Sequence, residues 1–351
     1  MAGVDERAAR DRAGFVSEER LRVGLDLDGS LESLGNSMTD LADALDATGE
    51  CSLVRFRSRT APAAANERRL ALRFLWTPLW RRSLGPAIDR RVGPLDVIHV
   101  AGRATPPTRS TPLIISVDDL RPLRGEKGEH PRITQLRRAV ATGAVLVAST
   151  RSASHEVQRV LEVKPARVVV VPPAVPLVEP THDGTALVVN LTGVVTPFLR
   201  MAPELVDFAR EHHAEVVAVT SAAVAQRIRA AGLEVTVRSR AEARSALTGA
   251  RVVLHVSDGA RFPSFAIAAL AAGVPTIARA TTINRELLSG AAVLTESDEE
   301  VLPALRELWE SPTRRAITIA AGRARAEDFA PATAARAYLS LYRDVVRGWS
   351  S

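Results

Sequence analysis

Residues 251–295 read RVVLHVSDGARFPSFAIAALAAGVPTIARATTINRELLSGAAVLT, and the reading of this stretch decides the fold. Residues 251–256 are apolar and β-branched, the composition of a buried strand. Ser257, Asp258 and Gly259 interrupt it. Residues 264–272 are apolar and Ala-rich, which predicts a buried helix with Ser264 as its N-cap. Gly273 supplies the residue past the helix end and Pro275 follows it. Residues 274–278 form a second strand. Thr282 or Asn284 caps a short helix running to Leu288, and residues 291–294 are a third strand. Strand, helix and strand joined by short loops make a parallel βαβ unit. The start of its helix opens onto the carboxyl edge of the sheet.

The same alternation extends outward in both directions. Before it lie strands near 186–191, 214–220 and 234–237, with helices at 202–211, 222–231 and 240–247 between them. An earlier series has strands at 22–26, 51–56, 96–101, 112–117, 144–148 and 167–171, and helices at 37–45, 133–142 and 152–161, the last capped by Ser149 or Thr150. Residues 175–184 (VPLVEPTHDG), Pro-rich and polar, join the two series as a linker. The expected fold class is α/β: two doubly wound, Rossmann-like domains facing a cleft.

Composition narrows the function classes. The chain has 351 residues, enough for two ordinary domains, and 46% hydrophobic content supports sizeable cores. No apolar run reaches membrane-spanning length, and residues 1–20 are charged and lack an apolar signal core, so they read as a disordered tail. The single cysteine, Cys51, excludes an internal disulfide and a cysteine-rich zinc site, and the expected compartment is the cytoplasm. The net charge of +6 is carried almost wholly by Arg, with Lys only at Lys127 and Lys164. Aromatics make up 4% and no RNA-binding aromatic signature is present, which argues against a nucleic-acid partner. Residues 68–91 (RRLALRFLWTPLWRRSLGPAIDRR) interleave Arg with Phe74, Trp76 and Trp80. Such a segment can lie on an anionic membrane surface, at the inner face of the plasma membrane. Alternatively it is an amphipathic helix whose Trp face packs on its own domain, broken near Pro78.

The stretch quoted first resembles the retaining glycosyltransferases of family four, which have the GT-B fold and carry a pattern like P-S-x-x-E-G-F-G-x-x-x-x-E-A-x-A-x-G-x-P-V-I. Phe262, Ala269, Ala271, Gly273, Pro275 and Ile277 match, and Glu286 with Gly290-Ala291-Ala292 fits the family's following pE-x-x-G-d-A-A. The family's two glutamates fall on Ala260 and Ala268, and the glycines flanking its Phe become Arg261 and Pro263. Further up the chain Gly35 matches the second glycine of the family's opening loop. Asn36 and Ser37 follow, where acceptor and donor contacts often lie in that family; an ordinary βα turn is the other reading. His99 matches a histidine that is usually structural. Asp118 replaces the histidine that sits over the reacting sugar, and Asp119 matches. A carboxylate cannot repeat an imidazole's hydrogen bonding. Asp118 is thus the catalytic candidate on position alone. Two adjacent aspartates could hold a divalent cation, but a cap plus a solvated charge is the commoner use. The resemblance implies neither a metal nor a cofactor.

On the donor side, residues 192–205 (TGVVTPFLRMAPEL) resemble the family's V-G-R-L-x-P-x-K-G, aligned on Gly193 and Pro197. The family's diphosphate-binding Arg and Lys are here Val194 and Leu199. Arg200, one residue on, and Arg261 in the facing loop remain as cations able to pair with phosphate, unless Arg261 is a plain surface residue. The helix starting at Ser264 adds free N–H groups and a positive dipole end, and Glu286 joins these donor-side candidates. Ala268 reads equally well as part of a helix close-packed on a strand.

The tail resembles the family's last helices at Phe329 and at Leu341-Tyr342, the final one crossing back to the first domain. Its apolar stripe is Ala334, Ala337, Tyr338, Leu341, Tyr342 and Val345. The implied division is a tail at 1–20, an acceptor-side domain at 21–174, a linker at 175–184, a nucleotide-sugar-side domain at 185–330 and a returning helix at 331–351.

Two functions compete. One is a glycosyltransferase that moves a hexose, with retention, from a UDP or GDP sugar to a glycan or lipid-linked acceptor. The other is a non-catalytic GT-B protein that binds a partner enzyme, a glycan or a membrane. The loss of the His, both Glu and the aligned Arg and Lys is what supports the second.

Overall fold

The apolar runs pair into two parallel sheets of six strands each. The protein's structure is a computed structural model that describes residues 20–28, 31–32, 35–57, 65–68, 70, 73–80, 84–101, 105–117, 131–179, 184–192, 195–257, 259 and 261–349. The first sheet contains β1 (Leu21–Asp26), β2 (Cys51–Phe56), β3 (Val97–Val100), β4 (Leu113–Val117), β5 (Val145–Ala148) and β6 (Val168–Val170), in the order β2-β1-β3-β4-β5-β6. The second contains β7 (Ala186–Thr192), β8 (Val216–Thr220), β9 (Thr236–Ser239), β10 (Ala250–Ser257), β11 (Thr276–Arg279) and β12 (Val293–Thr295), in the order β9-β8-β7-β10-β11-β12. The second order is that of a dinucleotide-binding sheet, reversing between β7 and β10.

Between the first-sheet strands run α1 (Ser37–Thr48), α2 (Arg73–Trp80), α3 (Asp89–Val92), α4 (Pro131–Ala141) and α5 (Arg151–Leu161). The second series has α6 (Thr196–Glu211), α7 (Ala222–Ala230), α8 (Ala243–Thr248), α9 (Ser264–Ala271) and α10 (Thr282–Leu288), followed by α11 (Val301–Glu310), α12 (Pro312–Ala326) and α13 (Pro331–Trp349). Two parallel sheets flanked by helices make the GT-B arrangement of Rossmann-like units.

Strand β10 is largely apolar because both its faces are covered. Val252, Leu254 and Val256 point into one core with α6 and α11, while Val253 points into the other with α9. Successive side chains alternate faces, so one strand seeds both layers. Its neighbours are Val189 and Ile277, both opposite Leu254.

Helix α9 is buried on every side, with Phe265, Ala266, Ile267, Ala268, Ala269 and Leu270 all shielded from solvent. The chain leaves it at Gly273 with φ +72, where a Cβ would meet the Arg323 guanidinium at 2.5 Å. Two expected caps are displaced by one residue. Pro263, at φ −84 and ψ 56, holds the N-cap position of α9, and the Ser264 amide donates to the Phe262 carbonyl. Ser264 is therefore already helical and its hydroxyl caps nothing. Thr281, not Thr282 or Asn284, caps α10 by accepting from the Asn284 amide. Thr150 caps α5, accepting from the Ala153 amide at 2.9 Å.

Helix α13 returns to the first sheet. Ala335, Tyr338, Leu339, Leu341 and Tyr342 join Val23, Leu25, Met38, Leu41 and Leu45 in one core cluster. Ala337, expected in this stripe, is exposed; Ala335 and Leu339 take the inward positions. The expected strands at 234–237 and 291–294 lie about two residues further on, at β9 and β12. The expected helix at 202–211 begins six residues earlier, with Pro197 in its first turn. Residues 171–179 carry neither helix nor strand; the Val175 amide donates to the Phe329 carbonyl, and Val175 and Val178 pack in the second core.

In α2 the tryptophans turn inward. Trp80 is fully buried and its Nε1 donates to the Pro86 carbonyl at 3.0 Å. Trp76 is half-buried beside it, with the Arg91 guanidinium 4.5 Å from its ring centre. Both tryptophans are thus engaged in packing, and among the described residues of this segment Leu79 and Leu84 are exposed. Among the described residues no helix is long and apolar enough to cross a membrane.

Candidate functional site

In an open parallel sheet the ligand crevice lies beyond the carboxyl ends of the strands where the order reverses. In the second sheet that point is between β7 and β10. The loop leaving β10 carries Arg261, Phe262 and Pro263 into α9. Arg261 is exposed, and Phe262 is anchored by an edge-on contact with Phe329, ring centres 5.6 Å apart. Behind Pro263 the amides of Phe265 and Ala266 have no acceptor among the described residues, as expected of a first helical turn. The expected donor-side pair Arg261 and Ser264 is therefore brought to one place, with the contribution of Ser264 confined to the helix start.

The other expected residues fare differently. Gly193 and Asp118 lie outside the described residues, as does Asp119. Gly35 and Asn36 form a two-residue strand paired antiparallel with Leu31–Glu32, directly before α1. Arg200 sits in the first turn of α6, largely exposed, and donates to Asp298 through Nη2 at 2.5 Å and Nε at 3.2 Å. Asp298 also takes Arg279. Burial pushes the Asp298 carboxyl up, but the two arginines hold it below the ordinary value. Two guanidiniums sharing one carboxylate leave a single excess positive charge there.

Glu286 reaches the other domain. Its carboxylate accepts from the Arg151 amide at 2.7 Å, the Ser152 amide at 3.0 Å and the Ser152 hydroxyl at 2.7 Å. It thus satisfies two of the free donors at the start of α5 and faces that helix's positive dipole end. Three bonds to α5 take up the carboxylate that sequence placed on the donor side. Near α8 a second bridge spans the two units: Arg244 lies 3.8 Å from Asp40 in the first turn of α1. Burial pushes the Asp40 carboxyl up to about 6, with Arg244 opposing and Asp43 adding to the rise.

On the first-sheet side a small cavity of about 20 Å³ is lined by Ser37, Ser116 and Ser149 together with the apolar Met38, Leu41 and Val147. Behind it His99 is fully buried, with Nδ1 2.8 Å from the Tyr342 hydroxyl and Nε2 2.8 Å from Ser116 Oγ. Burial pulls its pKa down to about 3, so it is neutral and structural.

Sequence reasoning missed Arg240, Arg244 and Asp40. A signal for Arg240 was present: Ser239-Arg240-Ala241-Glu242 is a capping-box pattern, which fixes the end of β9 and sets Arg240 at the carboxyl edge. Ala268, in the position of a family glutamate, is 0% exposed in the α9 core. Among the described residues no three metal-ligating side chains converge.

No protein-family profile matches this chain, and no curated protein matches it in sequence. Solved structures do match in fold. A sucrose-phosphate synthase from Thermosynechococcus elongatus superposes with a TM-score of 0.66 at 15% identity, covering 94% of this chain and 100% of that one. A glycosyltransferase from Rickettsia africae gives 0.65 at 10% identity, over 93% and 99%. Anabaena HepE, solved in complex with UDP and glucose, gives 0.62 at 14% identity, over 92% and 100%. At these identities the likeness is one of fold.

Proposed function

We propose that this chain is a glycosyltransferase of the family-four type, transferring a hexose from a nucleotide sugar to a glycan or lipid-linked acceptor with retention. The observation that carries the reading is the switch point of the second sheet, where Arg261 and the open first turn of α9 converge at the carboxyl edge. That is where a doubly wound sheet takes a phosphorylated ligand, and a helix start with free amides favours anions. Arg200, with Arg279, supplies the remaining positive charge. The first unit is the acceptor side in this reading, with Gly35 and Asn36, directly before α1, as its candidate contacts. Asp118, which takes the place of the family's histidine in sequence, is the candidate for a role at the reacting sugar. UDP and glucose bound to HepE, a protein of the same fold, support the ligand class.

The test is a thermal-shift titration with UDP, GDP, ADP and their hexose conjugates. A ligand at a hundred times its dissociation constant stabilises by about 2.7 kcal/mol, a rise of a few degrees. A base-selective rise is the expected result. No rise at millimolar concentration with any of them overturns the donor site and leaves a non-catalytic role for the fold.

A further inference from the structure

Three pairs of arginines approach one another in the second unit, and two of them have an acceptor between them. Arg200 and Arg279 share the Asp298 carboxylate. Arg251 and Arg315 share the Trp309 carbonyl at the end of α11, at 3.0 and 3.1 Å. The third pair, Arg240 and Arg261, has no shared acceptor among the described residues. Arg240 follows β9 and Arg261 follows β10, so both stand at the carboxyl edge of one sheet, with β8 and β7 between their strands. The Arg240 Nε is buried without a hydrogen-bond partner, and neither side chain makes an ion pair with any described residue.

Of the described carboxylates, Glu242 and Asp40 are already engaged. Glu242 accepts from the Ser239 amide at 2.9 Å and hydroxyl at 2.7 Å, and from Arg238 at 3.2 Å. Asp40 faces Arg244. Burial, and then the charge of Arg261, pull the pKa of Arg240 down from its usual value, so the two cations oppose each other in the free protein. A half-buried donor without an acceptor costs stability. Placed beside a like charge at a ligand edge, it has an acceptor only when an anion enters.

We propose that Arg240 and Arg261 together form the seat for a phosphate or diphosphate group of the cleft ligand. The proposal rests on the glycosyltransferase reading for the identity of that ligand, but not for the existence of the seat. Two guanidinium forks can grip the equatorial oxygens of one phosphate or bridge two linked ones. The seat takes over from the diphosphate-binding Arg and Lys whose positions hold Val194 and Leu199.

The experiment is calorimetric titration of the full chain with inorganic pyrophosphate, glucose 6-phosphate, UDP and UDP-glucose. The proteins are the parent, Arg240→Ala, Arg261→Ala, the double variant and, as a charge control, Arg210→Ala. Arg210 lies in the last turn of α6, paired with Asp207 and Glu234. Each cleft variant is expected to weaken pyrophosphate about tenfold and the double variant about a hundredfold, as for loss of one and two charge-assisted hydrogen bonds. Arg210→Ala should change nothing. In the free protein Arg261→Ala should melt at the same temperature or higher, since it relieves repulsion; being exposed, it keeps the test valid should Arg240→Ala fold poorly.

Pyrophosphate affinity equal in parent and Arg261→Ala overturns the seat, as does no pyrophosphate binding at all. If UDP-glucose then still binds, the donor reading survives without it. Arginine-dependent pyrophosphate binding with no nucleotide binding upholds the seat and sinks the donor reading. Arginine-dependent binding of glucose 6-phosphate alongside it upholds the seat and marks a sugar phosphate as the occupant.

Discussion

The Glu286 carboxylate accepts three hydrogen bonds from the start of α5, and this contact carries a measurable pH signature. Burial pushes its pKa up, but the Ser152 hydroxyl, the two amides and the charge of Arg151 outweigh that and hold it below the ordinary 4.5. A carboxyl depressed on folding stabilises fully above its unfolded pKa, and the stabilisation is lost as pH falls through the folded value. Glu286→Gln keeps the shape and loses the charge. It should cost about 1 kcal/mol at pH 7, with partial exposure screening the rest. Urea unfolding should show that cost at pH 7 and a difference that shrinks as pH falls below the ordinary carboxylate range. An undiminished difference at low pH would mean that packing, not charge, holds the two units here. Glu286 itself was legible as a conserved-looking pattern match; its partner was not, because the two lie 135 residues apart and meet only once both sheets have folded.

At the scale of the element, α9 is where sequence and structure agree best and also where a detail slips. Its Ala-rich, apolar run and the glycine after it could only be read as a buried helix. The cap could not, because capping depends on the backbone angles of Pro263 rather than on a preference for Ser264. The burial of Ala268 yields a sharp expectation. Ala268→Glu would restore the carboxylate of the family pattern, yet here it would place a charge among Phe265, Leu270 and Val253. It should destabilise by more than about 3 kcal/mol, or yield insoluble protein. A variant that folds with an unchanged melting temperature would show that the side chain can reach the cleft, and would revive the family's ribose contact at this site.

Across the whole molecule the chain's end belongs to its beginning. Helix α13 seals the core formed by β1 and α1, and Tyr342 closes the hydrogen-bond pair around His99. Removing residues 331–349 should expose Val23, Leu25, Met38 and Leu45 and abolish cooperative unfolding of the first unit. The expected readouts are loss of soluble yield and strong binding of a hydrophobic dye. A truncated chain that melts cooperatively would mean the first sheet needs no lid. Glu286 on α5 and Arg244 beside Asp40 add two further bridges between the units.

The sequence by itself determined the alternation of strands and helices, the two parallel sheets and the helix that returns at the end. These follow from short-range physics: apolar runs and their period, and turn residues at fixed offsets. It also singled out Arg261 and the α9 start as donor-side candidates. The tertiary structure alone decided which charges meet. The charge of Arg261 acts on Arg240, Arg200 shares Asp298 with Arg279, and Glu286 accepts from the start of α5. An ion's partner is set by strand order and by the packing of one unit on the other, and neither is written in the local pattern around the residue.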